Sequence, residues 1–158
     1  MKRLLLFPAL ALALYGCGSS SSPSAPSAPP APTTAVYLVT ASPNPIIAGA
    51  GSQGFQNSAQ FTVSVTENAG VSGNVAFVNL TLRNATTGVE LNTLQYNPTD
   101  ITNRASTNHV AAKGTLNIPF SILYTLSLGG RQATLTIAIQ LKDDFGHTDN
   151  QTVNVNIV

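Results

Sequence analysis

Ala133-Thr134-Leu135-Thr136-Ile137-Ala138-Ile139-Gln140-Leu141-Lys142 decides the fold class. Leu135, Ile137, Ile139 and Leu141 fall at every second position, separated by Thr134, Thr136, Ala138 and Gln140. Successive side chains of a strand point to opposite faces, so a period of two predicts a half-buried strand. Leu135, Ile137 and Ile139 are expected in the core, with Thr134 and Thr136 on the other face. The pattern recurs. Phe61, Val63 and Val65 alternate with Thr62, Ser64 and Thr66, and Val153, Val155 and Ile157 with Thr152, Asn154 and Asn156. Leu116, Ile118 and Phe120 continue weakly to Ile122 and Tyr124. Pro119 has no N–H to give a ladder, so that strand should be an edge or break there.

Between Val75 and Arg83 the alternation changes phase. Val75 and Phe77 share one face and Val78, Leu80 and Leu82 the other, which a bulge near Phe77 or Val78 would reconcile. No ten-residue stretch carries apolar residues at i, i+3, i+4 and i+7, so helix is expected to be nearly absent from the folded region. Turn chemistry separates the strands. Asn84-Ala85-Thr86-Thr87-Gly88 should close a hairpin, with Gly88 at a left-handed position. Asp143-Asp144-Phe145-Gly146-His147 should close the last one, with Gly146 at positive φ and an Asp side chain accepting from nearby N–H groups. Gly129-Gly130 fits either a tight hairpin or a corner between sheets.

Strands of this length, all-β, in about one domain's worth of chain predict a two-sheet antiparallel sandwich of about seven strands. The last two strands, Ala133–Lys142 and Thr148–Val158, with the Asp-rich turn between them, resemble a bacterial immunoglobulin-like or fibronectin-type module. The chain departs from antibody-type domains in having no core Trp and no cysteine pair.

The other informative stretch is the N-terminus. Lys2 and Arg3 form a short positive region, and Leu4 to Leu14 an apolar one. Eleven helical residues reach roughly 16 Å, about half a bilayer core of ~30 Å, so this reads as a signal peptide and not a membrane span. Leu14-Tyr15-Gly16-Cys17 resembles the lipobox of bacterial lipoproteins, with Tyr15 standing where that family has a small residue. The resemblance implies that Cys17 becomes the acylated N-terminus of the mature chain, anchored in a membrane through its lipid. Several acyl chains supply the anchoring that one chain does not. Gly18 follows the cysteine in place of Asp, which by resemblance to the sorting rule of enteric bacteria implies the outer membrane. As an ordinary thiol, Cys17 would be an exposed liability with no second cysteine to pair with.

Residues 18–34 are Ser, Pro, Ala, Gly and Thr, without charge or large apolar side chains. Such a run cannot bury enough surface to order itself, so a disordered tether is expected. The organisation is therefore a signal peptide over 1–16, a lipid-anchored linker over 17–34 and a β-sandwich domain over 35–158.

Processing removes Lys2 and Arg3, leaving five basic against six acidic residues, a net charge of −1. No basic patch survives for nucleic acid. With charged residues only 8% of the chain, its polar surface must be made largely of Thr, Asn, Ser and Gln.

Candidate chemistry is sparse. Gly49-Ala50-Gly51-Ser52-Gln53-Gly54 matches G-x-G-x-x-G, but no helical face follows to receive a phosphate, and a plain loop is expected. His109 and His147 are the only histidines, and no Ser sits on a nucleophile elbow. Two His and a lipidated Cys make no zinc site. Asp143, Asp144, Asp149 and Asn150 gather hard oxygens that calcium would accept, yet their spacing fits no EF-hand loop, and Asp and Gly also suit a plain turn. Sequons at Asn79, Asn84 and Asn150 would matter in a eukaryotic secretory protein, but the lipobox resemblance implies a bacterium, where they carry no weight. Stacking on sugars would have to use Tyr37, Tyr96 or Tyr124, since there is no Trp.

These readings converge on a non-enzymatic envelope lipoprotein without cofactor. It would hold a binding or structural module whose partner is another envelope protein or a polysaccharide. The competing reading is an accessory or degenerate subunit of an envelope enzyme complex. A deep concavity with convergent carboxylates or His would favour that reading, and an open face or edge would favour binding.

Overall fold

Alternation becomes two antiparallel sheets packed face to face. The structure, a computed structural model, describes residues 29–126 and 130–158. The expected signal peptide, Cys17 and the expected tether as far as residue 28 lie outside them. Residues Ala31–Val158 form one compact unit.

Sheet A is centred on β3 (Asn57–Glu67). On one side β3 pairs with β1 (Tyr37–Ser42) and then β2 (Ala48–Ala50), and on the other with β7 (Thr115–Tyr124). Sheet B runs β5 (Glu90–Tyr96), β4 (Gly73–Asn84), β8 (Ala133–Asp143), β9 (Thr148–Ile157), with the short β6 (His109–Val110) also on β4. Seven of the nine strands among the described residues have six residues or more, which matches the expected number. Between β1 and β2, after cis peptide bonds at Ser42-Pro43 and Asn44-Pro45, the chain reaches across to sheet B. There Ile46 pairs in parallel with Ile157, giving its N–H to Asn156 O at 2.9 Å and accepting from Val158 N at 2.9 Å.

The predicted faces hold. Phe61, Val63 and Val65, Leu116, Ile118, Phe120, Ile122 and Tyr124, and Leu135, Ile137, Ile139 and Leu141 are all buried between the sheets. Thr134 and Thr136 turn outward, half-exposed. Val155 and Ile157 are buried, with Val153 packed at the margin. Strand β7 is an edge, so Pro119 costs no ladder bond. The phase change in β4 is a bulge between Val75 and Phe77, which lets Val75 and Val78 both face inward. Gly88 (φ 70°) and Gly146 (φ 93°) close the two expected hairpins. Strands β7 and β8 lie in different sheets, so the connection containing Gly130 crosses between them; Gly129 lies outside the described residues.

The expectation of almost no helix holds among the described residues, with one short exception. A helix, α1 (Pro98–Ala105), follows β5 and lies against β4, β5 and β7. Apolar spacing could not reveal it, because in two turns only Ile101 is buried. Its formation is driven from the end: Asn97 Oδ1 accepts from Thr99 N (2.8 Å) and Asp100 N (3.0 Å), and Asp100 Oδ2 accepts from Asn97 N (3.0 Å). That capping box, with Pro98 pre-set for the first turn, satisfies donors a helix start would leave bare.

Candidate functional site at the tether junction

The junction where the chain enters β1 is built from two buried carboxylates. Glu67 ends β3 and is 1% exposed; Asp143 ends β8 and is 5% exposed. Glu67 Oε1 accepts from Val36 N (3.2 Å) and Ala69 N (2.7 Å), and Oε2 from Gly70 N (2.7 Å) and Lys113 N (2.9 Å). Burial opposes its charge, but these four backbone donors prevail and bring the carboxyl down to about 2.

Asp143 does the same for the last hairpin and the start of β1. Its Oδ1 accepts from Phe145 N (3.0 Å) and His147 N (2.8 Å); its Oδ2 accepts from Ala35 N (3.2 Å) and lies 3.1 Å from His147 Nδ1. Burial pushes this carboxyl up, and the His147 and Ala35 N–H groups with the His147 ring bring it below the ordinary range. Ala35 and Val36, the residues leading into β1, are thus each clasped by a carboxylate from a different sheet.

Tyr37 lies between them. Its hydroxyl is buried without a hydrogen-bond partner among the described residues, and burial first, then the charges of Asp143 and Glu67, push it up to about 12. It fits because position 73 is glycine: a Cβ there would sit 2.1 Å from the Tyr37 hydroxyl and 2.5 Å from Lys142 O.

The calcium candidates are scattered in their commitments. Asp143 is engaged as above, Asp144 Oδ2 bonds Ser72 Oγ, Asp149 Oδ2 accepts from Gln151 Nε2 (2.8 Å), and Asn150 Oδ1 from Gln140 Nε2 (3.1 Å). Among the described residues no three His, Cys, Asp or Glu side chains converge as a metal would require. A recess of about 350 Å³ opens beside Thr34, Tyr37, Asp143, His147 and Asp149. Because both carboxylates spend their oxygens on the backbone, this arrangement is a clasp and not an acid–base pair. Gly49 and Ala50 belong to β2, against the expected plain loop, because they pair with Ser58 and Asn57; Gly51 to Gly54 form the connection to β3, and with a strand following there is no helix N-terminus for a phosphate. Asn84 is occupied as a turn cap, its Oδ1 accepting from Thr86 N (2.8 Å) and Thr87 N (3.0 Å). Asn79 sits half-buried on β4, and His109 is exposed on β6.

Sequence reading missed Glu67, since a lone acid at a strand end usually faces water; only the turn residues Ala69 and Gly70 after it hint at a capped carboxylate.

No family model and no curated protein matches the chain. Among solved structures it is similar to the structural-genomics target SoR45, with 9% identity, a TM-score of 0.56 and coverage of 78% of this chain and 86% of that one. It is also similar to the putative ApaA protein from Bordetella pertussis, with 8% identity, a TM-score of 0.57 and coverage of 77% and 92%. At such identity the likeness is one of fold, and fold does not carry function.

Proposed function

We propose that this protein is a bacterial envelope lipoprotein, held by acylated Cys17, that presents its sandwich on a flexible leash as a non-enzymatic binding or structural module. The observation that carries the reading is Leu14-Tyr15-Gly16-Cys17 behind a charged and apolar leader, followed by an uncharged Ser/Pro/Ala run. The junction supports it. A leash must transmit its tether point to the domain, and the first backbone N–H groups of the folded region are fastened by Asp143 and Glu67. Gly18 after the cysteine favours the outer membrane, and the partner is an envelope protein or a polysaccharide.

The test is Cys17→Ser in cells fed an alkynyl fatty acid. The natural protein should carry the label and partition with membranes, and the variant should lose both. Equal labelling of the two would remove the anchor and the reading with it.

A further inference from the structure

Arg104 is held in place by the fold without being used by it. Its guanidinium lies 4.5 Å from the centroid of the Tyr96 ring and 5.4 Å from that of Phe120. Those rings are 5.0 Å apart, and Phe120 stacks on Phe61 at 5.5 Å, so the guanidinium caps an aromatic row rising from the core. Contact with the two rings restrains the guanidinium and lowers the rotamer entropy lost when a ligand binds it. Yet the donors find little within the protein. Arg104 makes one long contact, Nη1 to Pro119 O at 3.5 Å, and no ion pair among the described residues, where Arg83–Glu90 and His147–Asp143 are the pairs formed.

The guanidinium lines a surface recess of about 360 Å³ with Gln95, Tyr96, Asp100 and Asn103. The capping box of α1 fixes Asp100, one oxygen being committed to Asn97 N and the other left to accept. Asn103 and Gln95 are exposed planar amides, each able to donate and accept. A fixed cationic fork calls for a carboxylate, and a carboxylate and two amides around it call for hydroxyls.

We propose that this recess binds an acidic glycan unit, a sugar bearing a carboxylate, with Arg104 on the carboxylate and Asp100, Asn103 and Gln95 on the ring hydroxyls. It rests on the reading of the domain as a binding module and names the partner's chemistry. An uncharged sugar would leave the guanidinium unmatched. An acidic peptide could meet Asp100 and the two amides only through backbone N–H and C=O groups spaced along its chain, whereas a uronate ring carries its hydroxyls beside its carboxylate, within one small recess.

The test is calorimetric titration of the full-length chain, in detergent, with three uronate oligosaccharides: oligogalacturonate, oligoguluronate and a hyaluronan tetramer. At least one should bind saturably, its methyl ester about tenfold or more weaker, and Arg104→Gln should weaken it by a similar factor, as loss of a charge-assisted fork contact does. Asn103→Ala, which removes no hydrogen bond of the fold, should weaken binding several-fold with an unchanged melting temperature, and it decides the matter should Arg104→Gln fold poorly. No binding by any of the three, binding indifferent to these substitutions, or equal binding of a tetraglutamate peptide would overturn the proposal. Fatty-acid labelling at Cys17 is independent of this, so a failed titration with intact labelling removes the glycan site and leaves the anchor.

Discussion

Glu67 and Arg104 are both charged groups fixed by the sandwich, and they are fixed in opposite ways. Glu67 is buried at the junction where the chain enters β1, and all four of its hydrogen bonds go to backbone N–H groups from three separate segments. Arg104 stands on the lateral face of α1, packed on Tyr96, with its donors facing a recess. The fold consumes the first charge and presents the second. A consumed charge serves stability and a presented one stays open to a ligand, a division that matters in a chain with so few charges.

The comparison breaks most readily at Glu67. Glu67→Ala takes the shared acceptor from four partly buried backbone N–H groups and should cost about 3–5 kcal/mol in a denaturant titration, as the loss of several charge-assisted bonds does. Arg104→Gln should cost below about 1 kcal/mol, since it loses only stacking on rings that remain packed. Similar losses for the two would mean that Arg104 is as structural as Glu67.

Acid should loosen the junction. The folded Glu67 carboxyl titrates at about 2 against an ordinary 4.5, so its contribution is fully present above pH 4.5 and lost as pH falls towards 2. Asp143, also lowered, adds to the loss in the same direction. The sharpest check is amide-exchange protection, taken relative to the intrinsic rate at each pH, at Val36, Ala69, Gly70 and Lys113, which should fall over that window before that of the β8 amides does. Loss of protection at β8 and the junction together would show that the clasp is no separate unit.

How far this was readable in sequence depends on how local each determinant is. The β8 register could be read from Leu135 to Leu141 because burial on one face repeats every second residue. The bulge at Ala76 was readable as a phase change. The α1 helix was not, because one buried residue, Ile101, makes no period; its signal lay in Asn97-Pro98-Thr99-Asp100, which caps a helix whatever its faces. The Glu67 clasp draws on Val36 and Lys113, 31 and 46 positions away, and such coincidence has no local pattern. The pairing of Arg104 with Tyr96 across the helix start is equally invisible until the helix is known.

A finer version of the contrast concerns two glycines. Gly73 faces the clasp, where an added Cβ would meet the Tyr37 hydroxyl and two backbone groups of β8, all closer than 3 Å. Backbone of a central strand cannot give way, so Gly73→Ala should cost about 1–3 kcal/mol, as overpacking does, and should also shift the Tyr37 environment in NMR spectra.

Gly146, in the final hairpin, has nothing within 4 Å of an added Cβ but holds φ at +93°. The cost of Gly146→Ala is then that of backbone conformation alone, about 1 kcal/mol. The hairpin also has Asp143 to hold it, through the N–H groups of Phe145 and His147 on either side of the glycine, so the turn should persist and the loss should appear chiefly in the melting temperature. Calcium in excess should restore none of it, because a ligand stabilises only a state that binds it and Asp143 has no free oxygen to offer. Recovery of several degrees on adding calcium, abolished by Asp144→Asn, would mean that the hairpin rearranges around a cation and that its carboxylates are presented after all.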